Sequence, residues 1–108
     1  MSNWIPLKTH GAALLPRGTL FKFPAGYPFE PFVVMMLCEV DGSLGLIAIT
    51  GYKAGIRPTV VFPDEGVPSG PGGGVDPQWL VANWTARVWE DSNLEEVLVH
   101  EPLTVEHL

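Results

Sequence analysis

The residues with reactive side chains are few, and their spacing suits no familiar catalytic arrangement. Histidines stand at His10, His100 and His107. No HExxH and no i, i+4 pair sets two imidazoles on one helix face, so spacing offers no metal site. His107 is expected to fray, and His100, near Glu96 and Glu101, reads as a solvated histidine at a strand end. The one cysteine, Cys38, lies in Pro31-Phe-Val-Val-Met-Met-Leu-Cys38. There a thiol is a small apolar core group rather than a nucleophile beside a base, and one cysteine closes no internal disulfide. Gly70-Pro-Gly-Gly-Gly74 has the plasticity of a phosphate cradle. It lacks the Lys-Ser/Thr of a P-loop, does not match GxGxxG, and runs into Asp76, which repels phosphate. Carboxylates are paired at Asp64-Glu65, Glu90-Asp91 and Glu95-Glu96, in polar stretches without the burial that general acid work needs. The sequence therefore points away from an enzyme, a metal or another cofactor.

What remains is the chemistry of surfaces. The chain carries 6 basic and 12 acidic side chains, a net charge of −6, which opposes binding to nucleic acid. The charge is uneven. Lys8, Arg17, Lys22, Lys53 and Arg57 outnumber Glu30, Glu39 and Asp41 in residues 1–60, whereas Arg87 alone faces nine acids in residues 61–108. An acidic half can serve solubility, or it can steer a basic protein partner. On the second reading the candidate partner-binding residues are Asp64, Glu65, Glu90, Asp91, Glu95, Glu96 and Glu101. Trp89 joins them as an aromatic anchor. Of the four tryptophans, Trp84 is expected in the core, and Trp79 and Trp89 on flanking helix faces. The stretch Phe23-Pro-Ala-Gly-Tyr-Pro-Phe-Glu-Pro-Phe32 is either a second interface or a loop folded over one end of the core.

These surfaces must be carried by a small domain. A chain of 108 residues, 46% hydrophobic and 17% charged, is too apolar to be disordered and large enough for one core without staples. Its apolar run Phe32–Cys38 is far shorter than the roughly 20 residues of a spanning helix. Met1-Ser-Asn-Trp-Ile-Pro-Leu-Lys8 lacks the pattern of a signal peptide. A soluble, cytoplasmic protein that contacts no membrane is expected. Thr19–Phe23 alternates as a strand, with Phe21 and Phe23 on one face and Leu20 and Lys22 on the other. Phe32–Val40 is apolar on both faces, as in a central strand. Asp41-Gly42 supplies a two-residue hairpin turn, and Leu44–Thr50 returns. Ile56–Phe62 reads as a strand that Pro58 confines to a sheet edge or a strand start.

Between Pro63 and Pro77, nine of fifteen residues are Gly or Pro, which marks a long irregular, mobile loop. As a tether it would divide the chain into pieces too small for their own cores, so a single domain over 1–108 is preferred. Asp76-Pro77 then opens a helix with Leu80, Trp84 and Val88 on one face. Its end is open, since Thr85–Trp89 suits helix or strand. Val97–His100 is a last short strand. The fold class is α+β: an antiparallel sheet with one main covering helix.

Three segments, Leu15-Pro-Arg-Gly-Thr-Leu-Phe-Lys-Phe-Pro24, Tyr27-Pro-Phe-Glu-Pro-Phe32 and Trp79-Leu-Val-Ala-Asn-Trp84 with Trp89, cover about a third of the chain. Through them it resembles a family of small bacterial immunity proteins encoded beside polymorphic toxins, including toxins of type VI secretion. The resemblance implies a non-enzymatic α+β protein that binds and blocks a cognate toxin in the producing cell, with a nuclease-type effector as the expected partner. It assigns no contact residue. Two other classes stay open: a small-ligand-binding or enzymatic domain with the Gly/Pro loop as a lid, and a small adaptor or chaperone. A monomer or weak homodimer is expected.

Overall fold

A computed structural model describes residues 4–9, 13–24, 32–40, 42–50, 58–70, 73–89 and 93–102. Among the described residues, six strands form one antiparallel sheet: β1 (Ile5–Pro6), β2 (Leu20–Pro24), β3 (Phe32–Val40), β4 (Ser43–Ala48), β5 (Pro58–Val61) and β6 (Leu98–His100), in the order β1-β6-β2-β3-β4-β5. An α-helix, α1 (Pro77–Arg87), covers one face, and this is the α+β architecture expected. Short 3-10 turns stand at Leu7–Thr9, Asp64–Gly66 and Leu94–Glu96.

The strands follow from the alternation in the sequence. In β2, Phe21 and Phe23 are fully buried under the helix while Lys22 faces the other way. In β3, Val33, Met35 and Leu37 are buried, and Val34, Met36 and Cys38 on the opposite face are half-buried. A two-residue connection joins β3 to β4: Val40 pairs with Ser43, and Gly42 takes φ +81°, a conformation glycine reaches without the Cβ penalty. Asp41 lies outside the described residues. β4 begins at Ser43, one residue before the expected start, and leaves the ladder after Ala48. Pro58 opens β5 at the sheet edge, where its missing N–H costs nothing. Residues 56 and 57, also expected in that strand, lie outside the described residues.

Asp76 caps α1, its carboxylate accepting from the Gln78 amide at 2.9 Å, and Pro77 occupies the first turn. Removing this cap in Asp76→Ala is expected to cost about 1 kcal/mol, with Asp76→Asn close to neutral because the amide oxygen accepts the same bond. Urea unfolding of the two variants checks both. Leu80, Trp84 and Val88 form the buried stripe. The helix stops at Arg87, where the Val88 and Trp89 amides both return to the Trp84 carbonyl.

The Gly/Pro-rich segment carries local structure of its own. It contains the turn Asp64–Gly66, buries Val67 and Val75, and is pinned by the paired bridge Leu15–Val75, with N–O distances of 2.9 and 2.8 Å. Two valines spaced along the segment reach the core. Residues 71–72 lie outside the described residues. One hydrophobic cluster runs from Leu7 to Val99 and includes Val67, Val75, Leu80 and Trp84. Sheet, helix and Gly/Pro segment thus share a core.

Candidate partner-binding surfaces

Four of the acidic candidates sit on the short turns that pack beside the helix. Asp64 and Glu65 are exposed in the turn Asp64–Gly66. That turn is fixed to the start of α1 by the Asp76 amide, which donates to the Gly66 carbonyl at 2.9 Å, and by the Trp79 ring against Gly66. Glu95 and Glu96 are exposed in the turn Leu94–Glu96, which Asn93 caps by accepting from the Glu95 amide. Glu95 also pairs with Lys8 at 3.1 Å. Both side chains are more than half exposed, so the pair contributes little to stability, but it offsets one negative charge locally. Glu101 is exposed just past β6. Glu90 and Asp91 lie outside the described residues.

Trp89 is half-buried, its ring 5.2 Å from that of Phe23. Trp79 is likewise half-buried, edge-on to Phe62 at 5.7 Å. Each therefore presents one edge to solvent and uses the rest of its area in packing. Trp84 is fully buried between Phe21 and Phe23, at centroid distances of 5.9 and 5.4 Å. The aromatic candidate Tyr27–Pro31 lies outside the described residues.

The other chemical candidates are placed as follows. Cys38 is half-buried on the face of the sheet away from α1, and burial pushes its thiol pKa up. A thiol held protonated is a poor nucleophile. Nδ1 of His100 lies 2.7 Å from the Glu101 carbonyl oxygen, and its ring packs edge-on against Trp4 at 5.2 Å. Among the described residues no group of three His, Cys, Asp or Glu side chains is placed to hold a metal. The Gly/Pro segment, the lid of the alternative ligand-binding reading, buries Val67 and Val75 in the core.

Sequence reasoning passed over a second surface. Strand pairing puts Lys22, Val34 and Leu98 in one row and Leu20, Met36, Ile47 and His100 in the next, all on the sheet face opposite α1. Cys38, Gly45 and Val61 form a third row. Phe32, Ile49 and Val61 are 53%, 42% and 48% exposed. Among the described residues no helix or strand packs across this face. Its signal was present in the sequence: β3 is apolar on both sides, and one helix can cover only one of them. On this face Leu20 is buried, Val34, Met36, Cys38 and Ile47 are half-buried, and the exposed part, at Phe32 and Val61, is apolar, whereas an antiparallel sheet ordinarily turns polar residues outward.

Taken together, the described residues form a small α+β protein with acidic turns beside the helix and a largely apolar sheet face opposite it. A family model described as Immunity protein 45 matches residues 7–99. The chain belongs to this immunity-protein family, which points to neutralisation of a toxin partner and to a protein that is in general not an enzyme. Searches of curated proteins and of solved structures return no match. Among the described residues, no helix is long and apolar enough to cross a membrane.

Proposed function

We propose that this protein binds a cognate bacterial toxin, of the nuclease type delivered by type VI secretion, and neutralises it by occluding the toxin's active site. Membership of an immunity-protein family over residues 7–99 carries the reading. The charge distribution supports the finer part. A nuclease must hold a polyanion and so presents a basic cleft, and an acidic half of this chain is complementary to it. Asp64, Glu65, Glu90, Asp91, Glu95, Glu96 and Glu101 would attract and meet that surface, with Trp89 beside them. The protein acts in the cytoplasm of the producing cell, as a monomer or weak homodimer, without catalysis, cofactor, nucleic acid or membrane.

Co-expression with the toxin encoded beside this gene tests the reading. Restored growth with a co-purifying complex is the expected result. Restored growth without a complex would identify an enzymatic antidote instead. Reversing two charges in Glu95→Lys/Glu96→Lys is expected to slow association about three- to tenfold at low ionic strength and to flatten its salt dependence, because the steering attraction is weakened. Stopped-flow association rates across a salt series measure this, and unchanged rates would remove these two acids from the contact.

A further inference from the structure

The open face of the sheet calls for a partner, and its charge pattern says which kind. Lys22 is its one formal charge among the described strand residues, registered opposite Val34 on β3 and Leu98 on β6. Its ammonium lies 5.6 Å from the ring centroid of Trp4 and 5.1 Å from that of Phe32, within the range of cation–π attraction. No carboxylate of the described residues lies within ion-pair distance of it. The ion pairs described are Lys8–Glu95 and Arg17–Glu39. Asp64, Glu65, Glu95 and Glu96 are on turns beside the helix, on the other side of the sheet. Around Lys22 the face continues as Val34, Met36, Ile47 and Val61, and the Ile49 amide just past β4 donates to the Val34 carbonyl at 2.9 Å.

We propose that this face seats the toxin, and that the toxin offers it an apolar patch bearing one carboxylate, which pairs with Lys22 between Trp4 and Phe32. The proposal rests on the reading that the chain neutralises a toxin by binding it, and it adds a contact to that of the acidic side. Contiguous exposed apolar area rimmed by polar groups marks an interaction surface. Apolar contact seals the site from water, and an aromatic-flanked cation then gains most from a carboxylate arriving with the partner. A second copy of the chain fits less well. Face-to-face pairing of two identical sheets would bury both Lys22 ammoniums in apolar surroundings with no counter-charge from the described strand residues between them, and a charge buried unpaired is costly. A partner carrying a carboxylate removes that cost.

The test titrates the purified protein with a catalytically inactivated form of the toxin encoded beside its gene. It compares wild type with Lys22→Glu, Lys22→Arg and Ile49→Asp, all checked for an unchanged circular dichroism spectrum and cooperative melting. Lys22→Glu should weaken binding about 30-fold or more, Ile49→Asp about tenfold, and Lys22→Arg should restore most of the affinity. The dissociation rate should carry the loss, in contrast to the association effect of Glu95→Lys/Glu96→Lys. A wild-type chain that does not bind the toxin overturns the proposed function and this contact with it. A wild type that binds, with all three variants matching it, overturns this contact alone. Sedimentation showing a wild-type dimer that Ile49→Asp dissociates would assign the face to a second copy and likewise overturn the proposal.

Discussion

Replacing Trp84 with alanine is expected to remove about 4 kcal/mol of folding stability, the largest effect of any single change suggested by this fold. The indole is fully buried and lies against both Phe21 and Phe23, the two side chains that β2 directs under the helix. Truncation would remove the buried area of a large aromatic side chain and leave a cavity that the flanking rings cannot fill by rotation alone. A small domain has about 5–15 kcal/mol of stability in total. The variant should therefore melt roughly 15–25 °C lower, or populate the unfolded state at room temperature. Trp84→Phe keeps a ring against both neighbours and should recover about half of the loss. Urea titration followed by tryptophan fluorescence and circular dichroism measures both variants. A loss below about 1 kcal/mol for alanine would mean that α1 does not dock on the sheet through this residue.

The second large effect is expected at Gly74. Its φ of +90° is a conformation that L side chains rarely adopt, and a Cβ there would run into the carbonyl oxygen of Leu15. That oxygen accepts from the Val75 amide, and the Leu15 amide donates to Val75, so the bridge pinning the Gly/Pro segment would have to open or shift. Backbone cannot swing aside as a flexible side chain can. The left-handed conformation costs about 1–2 kcal/mol for alanine, and displacing the bridge should bring the total to about 3 kcal/mol. Gly42 supplies the comparison. It also has a positive φ, +81°, but a Cβ there meets nothing within 4 Å, so Gly42→Ala should cost the conformational part alone. Denaturation curves of the two variants separate strain from collision, and amide exchange at Leu15 and Val75 should rise in Gly74→Ala only. Equal losses at the two positions would show that the Leu15–Val75 bridge does not hold the segment.

Several elements were legible in the sequence because their causes are local. Asp76-Pro77 announces a helix start through a side-chain acceptor and a residue without an N–H, and the cap bond forms as expected. The stripe Leu80, Trp84, Val88 repeats with the helical turn and is the face that is buried. Asp41-Gly42 between two apolar runs places a hairpin, and its glycine takes the positive φ such a turn requires. The acidic half was likewise countable, since formal charge is a property of residues and not of their arrangement. Immunity-type recognition was also available from short segments of the chain, and the family match over residues 7–99 agrees with it.

Other features depend on which distant segments meet. The two-residue strand β1 carries no periodicity of its own and exists because β6 offers it an edge at Ile5–Val99 and Pro6–Leu98. β6 lies between β1 and β2 rather than at the end of the sheet, a placement that three residues of sequence cannot encode. The Gly/Pro segment reads as irregular because composition reports backbone freedom, whereas the burial of its two valines depends on a core assembled elsewhere.

The sequence by itself determined the strand alternation, the capped amphipathic helix, the hairpin and the uneven charge, all set by neighbours within a few residues. Only the tertiary structure decided that one face of the sheet is covered by α1 and the other is left apolar, with Lys22 between Trp4 and Phe32. The physical reason is that a period-two pattern specifies two faces but not what covers them, and coverage depends on long-range packing that the pattern of one strand does not contain.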